Sequence, residues 1–259
     1  MDIGLQTFTI RKLLRTPHSI DRTFAVLSDI GLRSIELAVD YLGFPFTTQT
    51  ALMIAESAKR HSLRVISCQI KYATSSADIP ATAEFMQTLG AGILTNSVID
   101  LKLLNKGEDG LGRYCDMLAE LRAKLKPSGI SLAHHNHHYE FLRVGGQNVL
   151  SFMAANSDVD FVLDTYWCQR GGGNVIALLH ELRGRVPLMH LRDFTVTKMG
   201  LITGGADCEI GRGNIPFGAV LRAADATEVG YGMIEQKTKT PLESVKLSFD
   251  KGASLLCQI

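Results

Sequence analysis

Short apolar runs alternate with stretches of helical period along the whole chain. Residues 4–8, 34–37, 64–70, 93–97, 130–135, 161–164, 187–191 and 232–236 read as strands, largely apolar and bounded by turn residues. Between and after them, apolar residues recur at helical spacing over 20–30, 48–61, 81–89, 111–125, 148–155, 175–182, 217–224 and 243–256. Gly31 and Gly90 stand where the first and third helices should end, and Lys126-Pro127-Ser128-Gly129 stops the fourth. A Gly-containing loop over 195–214 precedes the seventh helix. Strand starts are spaced by roughly 30 residues, the size of one βα repeat. Strict alternation of eight strands with eight helices predicts an α/β protein with a parallel sheet covered on both faces. Eight such units fit a closed eight-stranded barrel better than an open sheet, so residues 1–259 are read as one domain.

The composition is ordinary for a globular enzyme, with 46% hydrophobic and 20% charged residues among 259. A formal net charge of +1 gives no global field to attract nucleic acid or an anionic membrane. No apolar run is long enough to span a bilayer, and no cationic segment with an apolar core precedes the first strand. The five cysteines are scattered without a Cys-x-x-Cys, which suits reduced thiols in a cytoplasmic protein. No Gly-x-Gly-x-x-Gly follows the first strand, so dinucleotide binding lacks support.

In a parallel barrel the site lies at the C-terminal ends of the strands. Those ends carry Gln6, Glu36, Gln69, Thr95 or Asn96, His135 to Glu140, Asp164, His190, and Glu235 or Gln236. Eight polar ends after apolar strand bodies point to one shared pocket. Asp164 follows Phe161-Val162-Leu163, where an unpaired carboxylate is costly to bury; its bland reading is a helix N-cap or a salt bridge. Tyr166 and Trp167, the sole tryptophan, suit a platform on which a sugar stacks. Of Glu235 and Gln236 one must point inward, and the carboxylate is the better ligand for a hard cation. Two or three carboxylates with one imidazole suit Mn²⁺, Mg²⁺, Co²⁺ or Zn²⁺. Such an ion polarises a carbonyl and stabilises the enediolate left when an adjacent proton departs.

Residues 130–141, Ile-Ser-Leu-Ala-His-His-Asn-His-His-Tyr-Glu-Phe, hold four of the eight histidines. Strict alternation puts His135 on the inward face with Ala133 and His134 on the helix-facing side. His137 keeps the parity of His135 and is the preferred proton-transfer group, with His135 as its rival; His138 is assigned a supporting or surface role.

These motifs carry a resemblance. Gly4-Leu5-Gln6, Ser34-Ile35-Glu36-Leu37, His135-Asn136-His137-His138-Tyr139-Glu140-Phe141, Leu163-Asp164-Thr165-Tyr166-Trp167, His190-Leu191-Arg192-Asp193, Glu209-Ile210-Gly211-Arg212-Gly213 and Ile234-Glu235-Gln236 together resemble the xylose isomerase-like TIM barrels, the sugar phosphate isomerase/epimerase family. The resemblance covers nearly the whole chain and implies a single (β/α)8 TIM barrel. It implies one divalent cation, Mn²⁺ first, on Glu140, Asp164, His190 and Glu235. It implies His137, with Glu235 and His135, in catalysis, and Gln6, Glu36, Gln69, Trp167, Arg192 and Glu209 around the substrate. Two departures stand out: Lys237 occupies a position where relatives often have Asp, and His135 stands where several epimerases have Glu.

The resulting expectation is a metal-dependent isomerase or epimerase of a small sugar or keto-sugar. A dehydratase of a keto-polyol shares the first step and is the alternative. A nuclease of the AP-endonuclease type is disfavoured, because Glu36 and Gln69 stand where that branch places histidine and no basic footprint accompanies them. A non-catalytic sugar-binding barrel is the remaining class. The expected partner is a small sugar rather than nucleic acid or membrane, with homo-oligomerisation open to the barrel.

Overall fold

In the computed structural model, which describes residues 1–199 and 202–259, the eight expected strands close into one barrel. They are β1 (Asp2–Gln6), β2 (Ser34–Ala38), β3 (Arg64–Ile70), β4 (Ile93–Asn96), β5 (Ser131–His135), β6 (Asp160–Asp164), β7 (Leu188–Leu191) and β8 (Tyr231–Ile234). Each pairs in parallel with the next, and β8 closes onto β1 with Leu5 opposite Ile234. The intervening layer is α1 (Pro17–Ile30), α2 (Thr48–Arg60), α3 (Ile79–Leu89), α4 (Gly107–Leu125), α5 (Val149–Asn156), α6 (Val175–Glu181), α7 (Phe217–Ala226) and α8 (Pro241–Leu256). None of the described helices is long and apolar enough to cross a membrane.

Local chemistry sets the helix ends. Thr16 and Ser19 form a reciprocal capping box with Pro17 in the first turn, so α1 begins three residues earlier than its apolar period shows. Gly31 ends it in the left-handed region at φ 111°, donating to Leu27 and Ser28, and Gly90 does the same for α3 at φ 72°.

Alternation along each strand divides the core in two. Leu5, Ile35, Leu94, Leu132, Phe161, Met189 and Ile234 belong to the large buried layer shared with the helices. Ile93, Ala133, Val162, Leu188 and Met233 form a separate cluster on the barrel axis. Toward the C-terminal ends the axis turns polar. An extra residue on β3, Ile66, sits opposite the step from Ile35 to Glu36, a bulge after which Ser67 pairs with Glu36. The Ser67 hydroxyl donates to Glu36 Oε1 at 2.7 Å, and Thr95 Oγ1 lies 2.8 Å from Ser67 Oγ.

Three sequence expectations change. β1 ends at Gln6, because Gln6 accepts from Phe8 N and starts a 3-10 turn over Thr7–Leu13. β8 ends at Ile234, so Glu235 and Gln236 follow the strand. The loop expected over 195–214 is in large part an antiparallel hairpin, Asp193–Met199 with Ile202–Cys208; Gly200 and Leu201 of that expectation lie outside the described residues. Period-2 reading missed it because Gly204 and Gly205 interrupt the apolar pattern.

Gly4 shows how tightly the axis is packed. A Cβ there would lie 2.5 Å from both Met233 Sδ and the Ser34 carbonyl oxygen, whereas a Cβ on Gly92 meets nothing within 4 Å. Gly4→Ala should therefore destabilise the barrel by about 2 kcal/mol through overpacking, and Gly92→Ala should stay within about 0.5 kcal/mol of the parent. Urea unfolding midpoints of the two variants test this; equal midpoints refute it.

Candidate functional site

Four ligand-type side chains converge at the C-terminal ends of β5 to β8. His135, Asp164, His190 and Glu235 are all buried, and one donor atom of each lies within 4.8 Å of the others. Each is aimed by its strand and held by a second contact. His135 has the inward parity of Ala133, and its Nδ1 donates to the Ser97 carbonyl at 3.4 Å, which leaves the Nε2 lone pair facing the cluster. His190 Nε2 donates to Glu36 Oε2, so Nδ1 faces the cluster 2.9 Å from Glu235 Oε2. Asp164 Oδ1 caps the short helix Thr165–Arg170 by accepting from Trp167 N at 2.9 Å, while Oδ2 lies 3.5 Å from His135 Nε2. The N-cap reading and the ligand reading of Asp164 thus fall on different oxygens.

Arg192 balances the charge. Its side chain is 2% exposed, and Nη1 donates to Glu235 Oε1 at 3.0 Å and Asp164 Oδ2 at 3.3 Å. Nε and Nη2 donate to Asp207 Oδ1 at 3.0 and 2.7 Å. The guanidinium also lies 4.6 Å over the Tyr166 ring. Burial by itself raises the pKa of Asp164 and Glu235, but the Arg192 charge together with His135 beside Asp164 and His190 beside Glu235 outweighs it and holds both below the ordinary carboxylate range. Burial lowers the pKa of His190, yet Glu36 and Glu235 reverse this and lift it to about 10. His137 is the opposite case: burial, then the neighbouring His135, push it down to about 3, so its ring is neutral at physiological pH.

The residues fit a divalent ion. His135 Nε2 and His190 Nδ1 are buried with no hydrogen-bond partner, an arrangement that costs free energy unless something fills the space between them. The short approach of His190 Nδ1 to Glu235 Oε2 lacks hydrogen-bond alignment, as befits two atoms aimed at a common point. Glu36 behind His190 completes a carboxylate–imidazole pair of the kind that orients metal-binding histidines.

The structure corrects the ligand set expected from the sequence. Glu140 is not among the four converging groups. The chain leaves β5 through a 3-10 turn at Tyr139–Phe141, which swings Glu140 to the helix-facing side. There Oε1 accepts from His134 Nε2 at 3.0 Å and Oε2 from His137 N at 2.7 Å, so both oxygens are occupied. His135 takes the fourth place.

A cleft of about 270 Å³ opens above the cluster, lined by Gln69, His135, His137, Trp167, Arg192 and Glu235 among the residues singled out in the sequence. Gln6 and Glu36 lie beneath it: Gln6 donates to Gln69, and Glu36 is bonded to His190 and Ser67. Glu209 is elsewhere, accepting from Ser244 Oγ and 3.4 Å from Arg212. Sequence reasoning missed Phe8, Tyr41, Lys71, Ser97 and Tyr139, which also line the cleft from loops just past the strand ends. It also missed Asp207, whose hairpin had no strand signal. A larger cleft of about 440 Å³ between the start of α1 and Leu242 contains no carboxylate or converging ligand group, and the chemistry does not lie there.

Asp164→Asn should remove most bound metal, and Glu140→Gln should retain it, as read by elemental analysis of purified protein; the same metal content in both variants contradicts the assignment. Because a metal-binding imidazole must be neutral, the proton that His190 keeps up to about pH 10 has to leave on binding. Metal affinity should therefore rise by about tenfold per pH unit between about pH 7 and 9, and calorimetry showing a flat affinity there would count against His190 as a ligand.

Comparison with known proteins agrees with this architecture. No curated protein matches the chain by sequence. Among solved structures, a sugar phosphate isomerase/epimerase from Parabacteroides distasonis ATCC 8503 is 19% identical, with a TM-score of 0.78 over 96% of each chain. A 3-keto-D-glucoside 4-epimerase from E. coli is 15% identical, with a TM-score of 0.71 over 98% of this chain and 99% of that one. A probable 3-DHS dehydratase from Bacillus anthracis is 12% identical, with a TM-score of 0.70 over 96% and 98% of the two chains. These likenesses concern the fold. Residues 24–255 match the sequence model of one family over most of the chain, and this protein belongs to that family, the xylose isomerase-like TIM barrels.

Proposed function

We propose that this protein is a divalent-metal-dependent isomerase or epimerase of a small sugar or keto-sugar. The observation that carries the reading is the convergence of His135, Asp164, His190 and Glu235 beneath a cleft walled by Trp167 and His137. An ion held by those four groups would polarise a substrate carbonyl and make the adjacent C–H more acidic. Two imidazoles with two carboxylates form a softer donor set than the single imidazole expected from sequence, which suits Mn²⁺, Co²⁺ or Zn²⁺ better than Mg²⁺.

The remaining work falls to side chains. Trp167 and Tyr139 offer ring faces to the sugar, and Gln69 and Ser97 offer hydrogen bonds to hydroxyls. His137 faces the cleft with no hydrogen bond on its ring, and the Glu140 carboxylate fixes its backbone. It is neutral, so a lone pair is available to take the proton from the carbon next to the carbonyl. The same imidazolium can return that proton to the neighbouring carbon while the hydroxyl proton passes to the former carbonyl oxygen, which gives isomerisation. His135 and Glu235 lie in the cluster, which supports His137 over its rival His135 as the base. Dehydration would begin with the same abstraction and end in loss of a hydroxyl, so product masses separate the two reactions.

His137→Asn should keep metal and ligand binding but lose turnover and solvent deuterium incorporation by roughly 10²- to 10⁴-fold. Metal-loaded parent protein that incorporates no deuterium into any keto-sugar or inosose tried would overturn the reading. Exchange at the parental rate in His137→Asn would reassign the base.

A further inference from the structure

The mouth of the cleft carries charge that the site below it does not need. Around the barrel, the loops after β8, β1, β2 and β3 contribute Lys237, Phe8, Tyr41 and Lys71 to one continuous wall. The opposite wall, from the loops after β4 to β7, contributes Val98, His137, Trp167 and Arg192. The charged groups below are paired among themselves, Arg192 with Asp164, Glu235 and Asp207, and His190 with Glu36, and none of these acids pairs with a lysine at the mouth. Lys71 and Lys237 are exposed, and neither has a carboxylate within ion-pair distance among the described residues. The nearest acid to the Lys71 backbone, Asp40, has both oxygens engaged, accepting from Lys71 N at 2.7 Å and Thr74 Oγ1 at 2.9 Å. The Lys71 ammonium lies 5.9 Å from the centre of the Tyr41 ring, which keeps it over the mouth. Among the described residues Glu235 is the only carboxylate lining the cleft, and it is buried. The adjoining groove past Lys237 adds Arg11, Lys12 and Lys239 with no acid among its lining residues.

We infer that Lys71 and Lys237 select a substrate bearing an anionic group, a carboxylate or a phosphate, at the end of the sugar remote from the reacting carbonyl. This rests on the reading of the chain as a sugar isomerase or epimerase, and adds what that reading leaves open, since the solved neighbours are named for a 3-keto-D-glucoside as well as for sugar phosphates. A sugar lying across the cleft puts its carbonyl by His137 and the ligand cluster, on the β5 to β8 side. Its far end then meets the wall between the two lysines. Two ammonium groups bracketing aromatic faces suit a charged terminus more than a hydroxyl, and the basic groove outside steers anions toward the same opening.

Trp167, the only tryptophan, lines the cleft, so its fluorescence reports binding without turnover. Titrations with D-fructose, D-fructose 6-phosphate and D-fructuronate compare a neutral, a phosphorylated and a carboxylated ketose. At least one charged ketose should bind about tenfold or more tightly than fructose, by the usual strength of charge-assisted hydrogen bonds; which one identifies the group. The advantage should vanish in the Lys71→Ala, Lys237→Ala double variant and survive in Lys71→Arg, Lys237→Arg, a conservative pair that controls for folding. Equal binding of all three, binding of none, or an advantage that persists in the alanine variant overturns the inference. Lysine-dependent binding without deuterium exchange would leave the anion site standing and remove the isomerase reading; exchange with equal binding of neutral and charged ketoses would do the reverse.

Discussion

The candidate site depends on one buried guanidinium. Asp164, Glu235 and Asp207 bring three carboxylates into a small volume, and moving each from water costs several kcal/mol, by rough estimate, unless it is paired. Arg192 touches all three. It holds Glu235 by Oε1 and leaves Oε2 aimed at the cluster, so the carboxylate is both neutralised and oriented. Asp207 fixes the other edge of the guanidinium from the hairpin, and Tyr166 covers its face. Asp193, the next residue, accepts from the backbone of Gly211 and Gly213 at 2.9 Å each and from Ile215 at 3.2 Å. A Cβ on Gly213 would lie 2.3 Å from Asp193 Oδ1, which explains the glycine in a stretch that resembled a substrate loop. The Arg192-Asp193 pair therefore ties the hairpin to the face that carries the four converging groups through two opposite sets of contacts.

Much of this was legible in the sequence, for identifiable reasons. Eight apolar strands separated by amphipathic helices leave few alternatives to a closed parallel barrel, and strand-end polarity locates the mouth. Parity assigned His135 inward and His134 outward, and the structure agrees: His134 Nδ1 lies 3.1 Å from Asn96 Nδ2 on the helix-facing side. For Glu235 and Gln236 parity says only that one points inward, and donor chemistry chose Glu235; Glu235 is among the four converging groups, while Gln236 Oε1 accepts from Ser248 of α8. Parity stops where the strand stops. Glu140 was assigned by resemblance to a motif, but four residues of turn lie between it and His135, and no periodicity constrains a turn. Phe8, Tyr41, Lys71 and Tyr139 were illegible as cleft residues for a related reason, since loop residues past the strand ends have no period from which to read their direction.

The His-rich segment shows how one turn performs several tasks with similar side chains. His134 supports the outer layer with Tyr114 and Asn96, His135 joins the cluster, and His137 lines the cleft. Glu140 is the hinge of that division. It accepts from the ring of His134 on one side and from the backbone of His137 on the other. Burial favours its protonated form, but the contacts with His134 and His137 hold its pKa below the usual range and keep it an acceptor. Its place in the family motif is thus explained without a metal: the carboxylate presents His137.

The barrel axis separates what holds the fold from what performs the chemistry. The apolar cluster of Ile93, Ala133, Val162, Leu188 and Met233 closes the axis below, so solvent and substrate meet the site from the mouth alone. Glu36, Ser67 and Thr95 sit directly above that floor and fix His190 from behind. Asn136 does the same on the next strand, accepting from Asp164 N at 2.9 Å. His190 and Asp164 are therefore backed by hydrogen-bonding partners beneath the cleft, while Ser97 and Arg192, which hold His135 and Glu235, also line it. Such partners position a ligand to within the tolerance that metal binding needs, while the apolar floor supplies stability that does not depend on the ion. The division lets the loops above carry charge and aromatic rings, as Lys71, Lys237 and Trp167 do, without disturbing the layer beneath that holds the four converging groups.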